Sequence, residues 1–352
     1  MDISHKSLRI GAAVILCAVI LRLFSSGLLD SVVSILSSPR VASFIFYLET
    51  GRVLRSPESH AAPVPETTAP PETAPPDASV PPDEQRIQAV FSPEDAAPVE
   101  VSNFCGYTVD TENLLLQPLD WDLTDTAPTV LILHTHSSES YTKTEDYTED
   151  TDYRTLNENY NVISIGAHLA QLLEAGGIRV LHDKTIHDYP SYNGAYAHAR
   201  EYIADYLTQH PSICMVLDIH RDAMEDADGN QIGYTVQIDG QKVAQLMLVV
   251  GSDAGGLTHP DWQTNMALAV KLHAQLEKNC PGICRPISFR SQRFNQDLSP
   301  GALLVEVGAA GNTRGEALLA AEQLANGILT LSQGVATSNS TTESFGPRQL
   351  PG

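Results

Sequence analysis

Three short polar clusters stand where apolar runs end. After TVLIL comes His134-Thr-His136-Ser-Ser-Glu139-Ser-Tyr141; ICMVL leads into Asp218-Ile-His220-Arg221-Asp222; and Glu306 sits inside ALLVEV. Imidazole nitrogen and carboxylate oxygen are donors that zinc favours, and a catalytic zinc keeps one position open for water. His134 and His136 are two apart and share a face if the strand runs through them. Asp218, His220 and Asp222 do the same, with Arg221 on the opposite face. One member of each set can bind a metal while a neighbour orients it. Glu306, within an apolar strand, is costly to bury unless a metal or an arginine compensates it. A single histidine at a strand end is ordinarily a hydrogen-bonding residue, and the isolated His5, His60, His168, His198, His210, His259 and His273 are read that way. The pairing of HTHxxE with DxHRD is far more specific, and it points to a metal site.

The elements that must position these clusters follow from periodicity. Strand-length apolar runs at 129–133, 178–181, 213–219, 233–238, 246–251 and 302–307 alternate with helix-period segments at 160–174, 192–209, 262–279 and 315–331. Asp239–Gly240 between two of the strands favours a hairpin. Strands apolar on both faces and separated by helices imply an α/β fold: a mostly parallel sheet with helices on both faces. In such sheets function gathers at the carboxyl ends of the strands, so parallel strands would bring the three clusters to one rim.

The chain has 352 residues, enough for a large α/β domain with a sizeable core. Its net charge of −22 argues against nucleic-acid binding, which needs a basic face. The charge is uneven: residues 1–55 carry six basic and three acidic side chains, and the remainder is strongly acidic. Residues 1–30 read as a cytoplasmic start and a membrane anchor. The apolar stretch at 10–29 is about the ~20 residues a span requires, and Lys6 and Arg9 before it place the body outside. A cleaved signal peptide is the rival reading, and it exports the body too. Residues 31–55 form a juxtamembrane segment. Eleven of the 22 prolines fall between Pro57 and Pro98, so 56–100 reads as an acidic, disordered spacer. The catalytic domain is expected over 101–333 and a disordered tail over 334–352. Cys280 and Cys284, in CPGIC, would be permitted a disulfide outside the cell but make a poor metal motif.

Taken together, VLILHTHSSESY, YNVISIG, VLHDKTIHDYPSYNGAY, VLDIHRDA and RFNQDLSPGALLVEVGAAGNT occur in order over 103–331 and resemble the stage II sporulation protein P family of endospore-forming bacteria. The resemblance implies an amidase-like fold and a zinc-dependent peptidoglycan hydrolase related to the N-acetylmuramoyl-L-alanine amidases, with endopeptidase activity on peptide cross-links. It also implies action beside stage II sporulation proteins D and M during forespore engulfment, between the mother-cell and forespore membranes. Carried onto this chain, it makes His136, Glu139 and His220 the metal ligands and Glu306 the catalytic carboxylate. Glu158, in LNENYNV, is the other candidate for the ligand glutamate, and His134 and Asp218 are further ligands or orienting groups. Arg221, Arg290 and Arg293 are candidates to grip an oxyanion or a substrate carboxylate, and Asn295 and Gln296 to shape the groove. An exported zinc hydrolase of another amide, or a wall-binding scaffold without activity, remain the alternatives.

Overall fold

The computed structural model describes residues 91–339 apart from 120, 124, 146 and 148–152, with side chains through 332. The anchor expected at 1–30, the segment at 31–55 and the spacer up to 90 lie outside the described residues, as does the tail beyond 339. Among the described residues no helix is long and apolar enough to cross a membrane.

In chain order the elements are β1 (Val101–Asn103), α1 (Thr111–Leu116), β2 (Val130–Leu133), α2 (Val162–Ala175), β3 (Val180–His182), α3 (Ala195–Gln209), β4 (Met215–Asp222), β5 (Thr235–Ile238), β6 (Gln241–Ala244), β7 (Leu246–Val250), α4 (Trp262–Asn279), β8 (Ile287–Phe289), β9 (Ala302–Ala309) and α5 (Arg314–Asn339). Seven strands form one sheet in the order β1-β8-β7-β9-β4-β2-β3. Every pairing is parallel except β7 with β9. The mostly parallel α/β architecture expected from the alternating pattern is therefore present. The antiparallel junction divides the sheet: β9, β4, β2 and β3 run one way, while β7, β8 and β1 run the other.

Strand alternation sorts the side chains between two cores. Val130 and Ile132 of β2, Leu217 and Ile219 of β4, and Leu303 and Val305 of β9 join Ile165, Leu169, Leu272 and Leu324 in one large cluster with α2, α4 and α5. Leu131, Leu133, Val216 and Ala302 face the other way, against Ala199 and Ile203 of α3. The even-numbered positions of β4 and β9 thus point toward α3, and Asp218, His220 and Glu306 are among them. Helix α2 starts where it does because Asn161 caps it, its side chain accepting from Ile163 N at 3.0 Å.

Several boundaries differ from the sequence reading for identifiable reasons. The hairpin at Asp239–Gly240 joins β5 to β6 as a separate two-stranded sheet, and β7 leaves it for the main sheet. Asp239 and Gly240 both take positive φ (50° and 80°), the two-residue turn that fixes pairing at once, so the partner strand begins at Gln241. The domain begins before 101: Ala96 and Val99, assigned to the spacer, are buried in the main core. Helix α5 runs on to Asn339, into the segment expected as tail. Residues Tyr192–Gly194, expected within a helix, form a separate 3₁₀ turn before α3. The cysteines at 105, 214, 280 and 284 are free thiols.

Gly301 leads into β9, where its carbonyl accepts from Val216 N at 3.0 Å. A Cβ there would lie 1.8 Å from the carbonyl oxygen of Cys214, so the side chain is excluded by backbone. Gly301→Ala should lower stability by about 3 kcal/mol, the cost of forcing the two strand starts apart. A urea unfolding midpoint equal to the wild type would refute this account of the strand pairing.

Candidate functional site

The carboxyl ends of β2, β4 and β9 lie on one rim, and β4 and β9 place His220 and Glu306 side by side in register. His220 is buried between two carboxylates. Its Nδ1 is 3.4 Å from Glu139 Oε2, and its Nε2 is 2.9 Å from Asp218 Oδ1, the latter an ion pair out of line for a hydrogen bond. Burial opposes a charge on His220, but Asp218 and Glu139 outweigh it and raise its pKa well above the ordinary range. Asp218 is held in turn by the turn after β2: Thr135 N donates to Oδ1 at 2.7 Å and Thr135 Oγ1 to Oδ2 at 2.6 Å. These bonds and His220 keep its pKa low despite burial.

Glu139 is only 5% exposed. Burial works against its charge, yet Arg221 and His220 hold its pKa down to about 2. Arg221 turns away from His220, as alternation requires. Its Nε donates to Ser140 O at 2.9 Å and Nη2 to Tyr153 O at 2.8 Å, while Nη1 lies 3.6 Å from Glu139 Oε1. The guanidinium is thus committed to the protein, and its own backbone N–H donates to Glu139 Oε2 at 3.2 Å. Arg154, which the sequence reading did not single out, approaches Glu139 Oε1 at 3.6 Å and bonds Asp188 Oδ2 at 3.0 Å.

His134 and His136 do not share a face. Strand β2 ends at Leu133, and the turn that follows breaks the alternation. His134 lies against α2, fully buried, with Nδ1 3.0 Å from Ile219 O and Nε2 2.8 Å from His182 Nε2. Gly166 makes room for this pair, since a Cβ there would meet His134 at 2.5 Å. Burial pushes His134 down to about 4 and His182 to about 3. His136 goes to the α3 side, where its ring stacks on Tyr192 at 4.4 Å and meets Tyr196 and His220 edge-on at 5.4 and 5.3 Å. Burial, then His220, push it down to about 4. Burial raises the Tyr196 hydroxyl well above its ordinary range, with the charges of Asp218, Glu306 and Glu139 adding to the effect.

Glu306 Oε2 and His136 Nδ1 are buried atoms without a hydrogen-bond partner. Burial pushes the Glu306 carboxyl up to about 8, against the pull of His220 and with the charge of Glu139 adding to it. A carboxyl near that value can both take and give a proton at neutral pH.

The remaining candidates lie elsewhere. Glu158 is exposed in the turn before α2. Asp222 leaves the set because the β4–β9 register shifts after His220, and it pairs with Arg285 at 2.7 Å. Arg290 follows β8, which runs opposite to β9, so it emerges at the other end of the sheet, packed 4.2 Å over Phe104. Arg293 pairs with Asp297 at 3.1 Å, beside the bond from Arg200 to the same carboxylate. Asn295, in a left-handed conformation (φ 58°), donates from Nδ2 to Tyr196 O at 2.8 Å and so anchors the start of α3. Gln296 is buried, bonded to Gly251 N and Val249 O, each at 2.8 Å. Tyr192, Tyr196, His182 and Asp188 join the cluster without having been singled out. For Tyr192, Tyr196 and Asp188 the aromatic run DYPSYNGAY is the visible signal, and His182 lies outside it.

The donor chemistry at the rim fits zinc. The 3.4 Å between His220 Nδ1 and Glu139 Oε2 is the edge expected for two ligands of a tetrahedral metal with bonds of about 2.0–2.1 Å. A cation there would take over the positive charge that His220 now supplies to Asp218 and Glu139. The third donor, His136, rests on Tyr192, and among the described residues no three His, Cys, Asp or Glu side chains stand together as a ready cage.

A family model described as stage II sporulation protein P matches residues 49–329. The stage II sporulation protein P of Bacillus subtilis (strain 168) is 30% identical over 210 residues, covering 56% of this chain and 49% of that protein. The match thus spans about half the length of that relative. Similar solved structures include the CwlD amidase of Clostridioides difficile in complex with the GerS lipoprotein (TM-score 0.38, 14% identity, 60% of this chain and 99% of that one). Two others are N-acetylmuramoyl-L-alanine amidases. AmiC2 of Nostoc punctiforme has a TM-score of 0.33 and 17% identity, over 58% of this chain and 97% of that one. The enzyme of Clostridium difficile 630 has 0.35 and 16%, over 62% and 100%.

Arg221 should be irreplaceable by lysine, because a point charge cannot bond Ser140 O and Tyr153 O while facing Glu139. Arg221→Met should cost about 3 kcal/mol by taking from buried Glu139 one of its cations and from Ser140 O and Tyr153 O their donor, and Arg221→Lys most of that. Denaturant titration of both variants checks this; a stable Arg221→Met would show that Glu139 does not depend on that guanidinium.

Proposed function

Because the chain belongs to the stage II sporulation protein P family, we propose that it is a zinc-dependent peptidoglycan hydrolase that cleaves the amide between N-acetylmuramic acid and L-alanine, and peptide cross-links as well. The observation that carries this reading is the rim itself: His220 between two buried carboxylates, with the unpartnered Glu306 beside it in register. The family also motivates the proposals that the protein acts in engulfment with stage II sporulation proteins D and M, and that an N-terminal anchor holds the domain outside the cytoplasm.

In this reading His136, Glu139 and His220 hold the zinc. When bound, zinc polarises a carbonyl oxygen and lowers the pKa of a water from ~15.7 toward ~7. Asp218 orients His220 from behind while Thr135 keeps the carboxylate in place. Arg221 and Arg154 fix Glu139 and balance its charge. Glu306 Oε2 takes the proton of the attacking water and returns it to the leaving nitrogen, so one carboxyl serves as base and then as acid. Tyr196, whose ring meets His136 edge-on at 5.4 Å, would be the phenol beside the reacting centre that can donate to a developing oxyanion. Zinc also separates this reading from a wall-binding scaffold, which would need neither the donors nor Glu306.

The test uses the full chain on purified sacculi. The wild type should bind one zinc, release peptides with new amino termini, and lose activity on chelation. Glu306→Gln should keep the metal and lose cleavage by about 10²–10⁴. His220→Ala should lose both metal and cleavage. Undiminished release by Glu306→Gln, or by a metal-free sample, would sink the mechanism, and mass spectrometry of the products reads which bond is cut.

A further inference from the structure

Beside the donor cluster lies a groove of about 340 Å³ between the loop after β2 and the segment leading into α3. Leu156, Tyr189, Tyr192, Arg154, Asp188 and Ser138 line it. Three of its large side chains face solvent, with Tyr189 62%, Tyr192 49% and Leu156 49% exposed. Concave sites that combine exposed apolar area with a few fixed polar groups are where ligands bind. The groove is continuous with the candidate active site. Tyr192 carries His136 against its ring at 4.4 Å, and Arg154 reaches Glu139 at 3.6 Å. Whatever fills the groove therefore lies next to the reacting bond.

The charge balance decides what kind of ligand fits. Arg154 is the cation among the lining residues, and it already faces the buried Asp188 carboxylate at 3.0 Å and Glu139 at 3.6 Å, with a bond to Ser138 Oγ at 3.2 Å. Its guanidinium also packs 4.5 Å over Tyr192. Among the described lining residues no positive charge is left over to attract a carboxylate, which disfavours an acidic stem peptide. A neutral pyranose suits the surface instead. Its carbon-bound hydrogens carry a small positive charge and pack on the negative face of an aromatic ring, while its hydroxyl and amide edges meet polar groups.

We propose that this groove is a glycan subsite, in which an N-acetylated sugar of the strand bearing the scissile amide stacks on Tyr189 and abuts Tyr192 and Leu156. The proposal rests on the peptidoglycan reading above and deepens it: the strand enters from the Tyr189 side, and the bond to be cut sits past Tyr192. Tyr189 and Leu156 are then specificity residues, which set affinity for the glycan and leave the chemistry to the rim.

The test is calorimetric titration of the full chain with tetra-N-acetylchitotetraose, a neutral glycan with no peptide to cleave. Tyr189→Ala and Leu156→Asp should each weaken binding about tenfold, roughly the worth of one good stacking contact, while Tyr189→Phe keeps the ring and the affinity. Thermal melting of each variant separates lost binding from lost fold. On glycan chains carrying stem peptides, Tyr189→Ala should raise KM and hold kcat. The proposal is overturned if the wild type does not bind the glycan, if all variants bind it equally, or if the groove variants lose affinity for a free stem tetrapeptide instead. Glycan binding by a chain that hydrolyses no sacculi would uphold the subsite and defeat the hydrolase reading. Hydrolysis that is indifferent to Tyr189 and Leu156 would do the reverse.

Discussion

His220, held between Asp218 and Glu139, is the constraint from which the rest of this rim follows. Burying two carboxylates together is tolerable only if a cation stands between them and their other lone pairs are bonded. The group between them here is the His220 imidazole, whose pKa the two carboxylates raise and whose Nδ1 and Nε2 lie 3.4 Å from Glu139 and 2.9 Å from Asp218. Every neighbouring feature serves that balance. Thr135 gives Asp218 two short bonds, which also pins the turn after β2 to β4. Arg221, from β4, and Arg154, from farther along the loop that carries Glu139, both close on that carboxylate. Glu306, next to His220 on the adjacent strand, has no cation of its own, and so burial raises it toward neutrality. The same arrangement that makes the rim electrostatically affordable without a metal is the one that can accept a metal, because a cation and the His220 proton satisfy the same carboxylates.

Much of this was legible in the sequence, because local chemistry dictated it. The strands of β2, β4 and β9 show as apolar runs, and strand alternation alone puts Asp218, His220 and Glu306 on one face. Failures came where a local rule stopped applying. The faces of His134 and His136 were misjudged because β2 ends one residue earlier, at Leu133, and periodicity does not announce its own end. Asp222 was grouped with His220 because a register shift between strands leaves no mark in one strand's pattern. Arg290, a candidate oxyanion or carboxylate contact, stands away from the rim because it follows β8, a strand the apolar pattern does not show, and the antiparallel β7–β9 junction sends that strand's end to the opposite edge. Arg154, Tyr192 and Asp188 were missed for a different reason. Their roles are contacts between loops remote in sequence, and no spacing rule encodes them.

Those loop contacts bear on how the domain would meet the substrate proposed for it. The chain carries a net charge of −22, so on the proposed reading long-range attraction does not draw it to an anionic wall. Salt screening shortens that repulsion to roughly 8–10 Å, which leaves recognition to contacts made at the surface. The site is arranged accordingly. Its charged groups are buried and mutually compensated, and the side chains it offers to solvent beside them are two tyrosines and a leucine. An aromatic ring loses little conformational freedom on binding and is indifferent to ionic strength. Tyr192 joins the two tasks, since one ring both supports His136 and borders the groove. On the proposed reading a ligand in the groove would press on the same residue that supports His136, so binding and chemistry would be coupled through a single side chain rather than through the field of the whole domain.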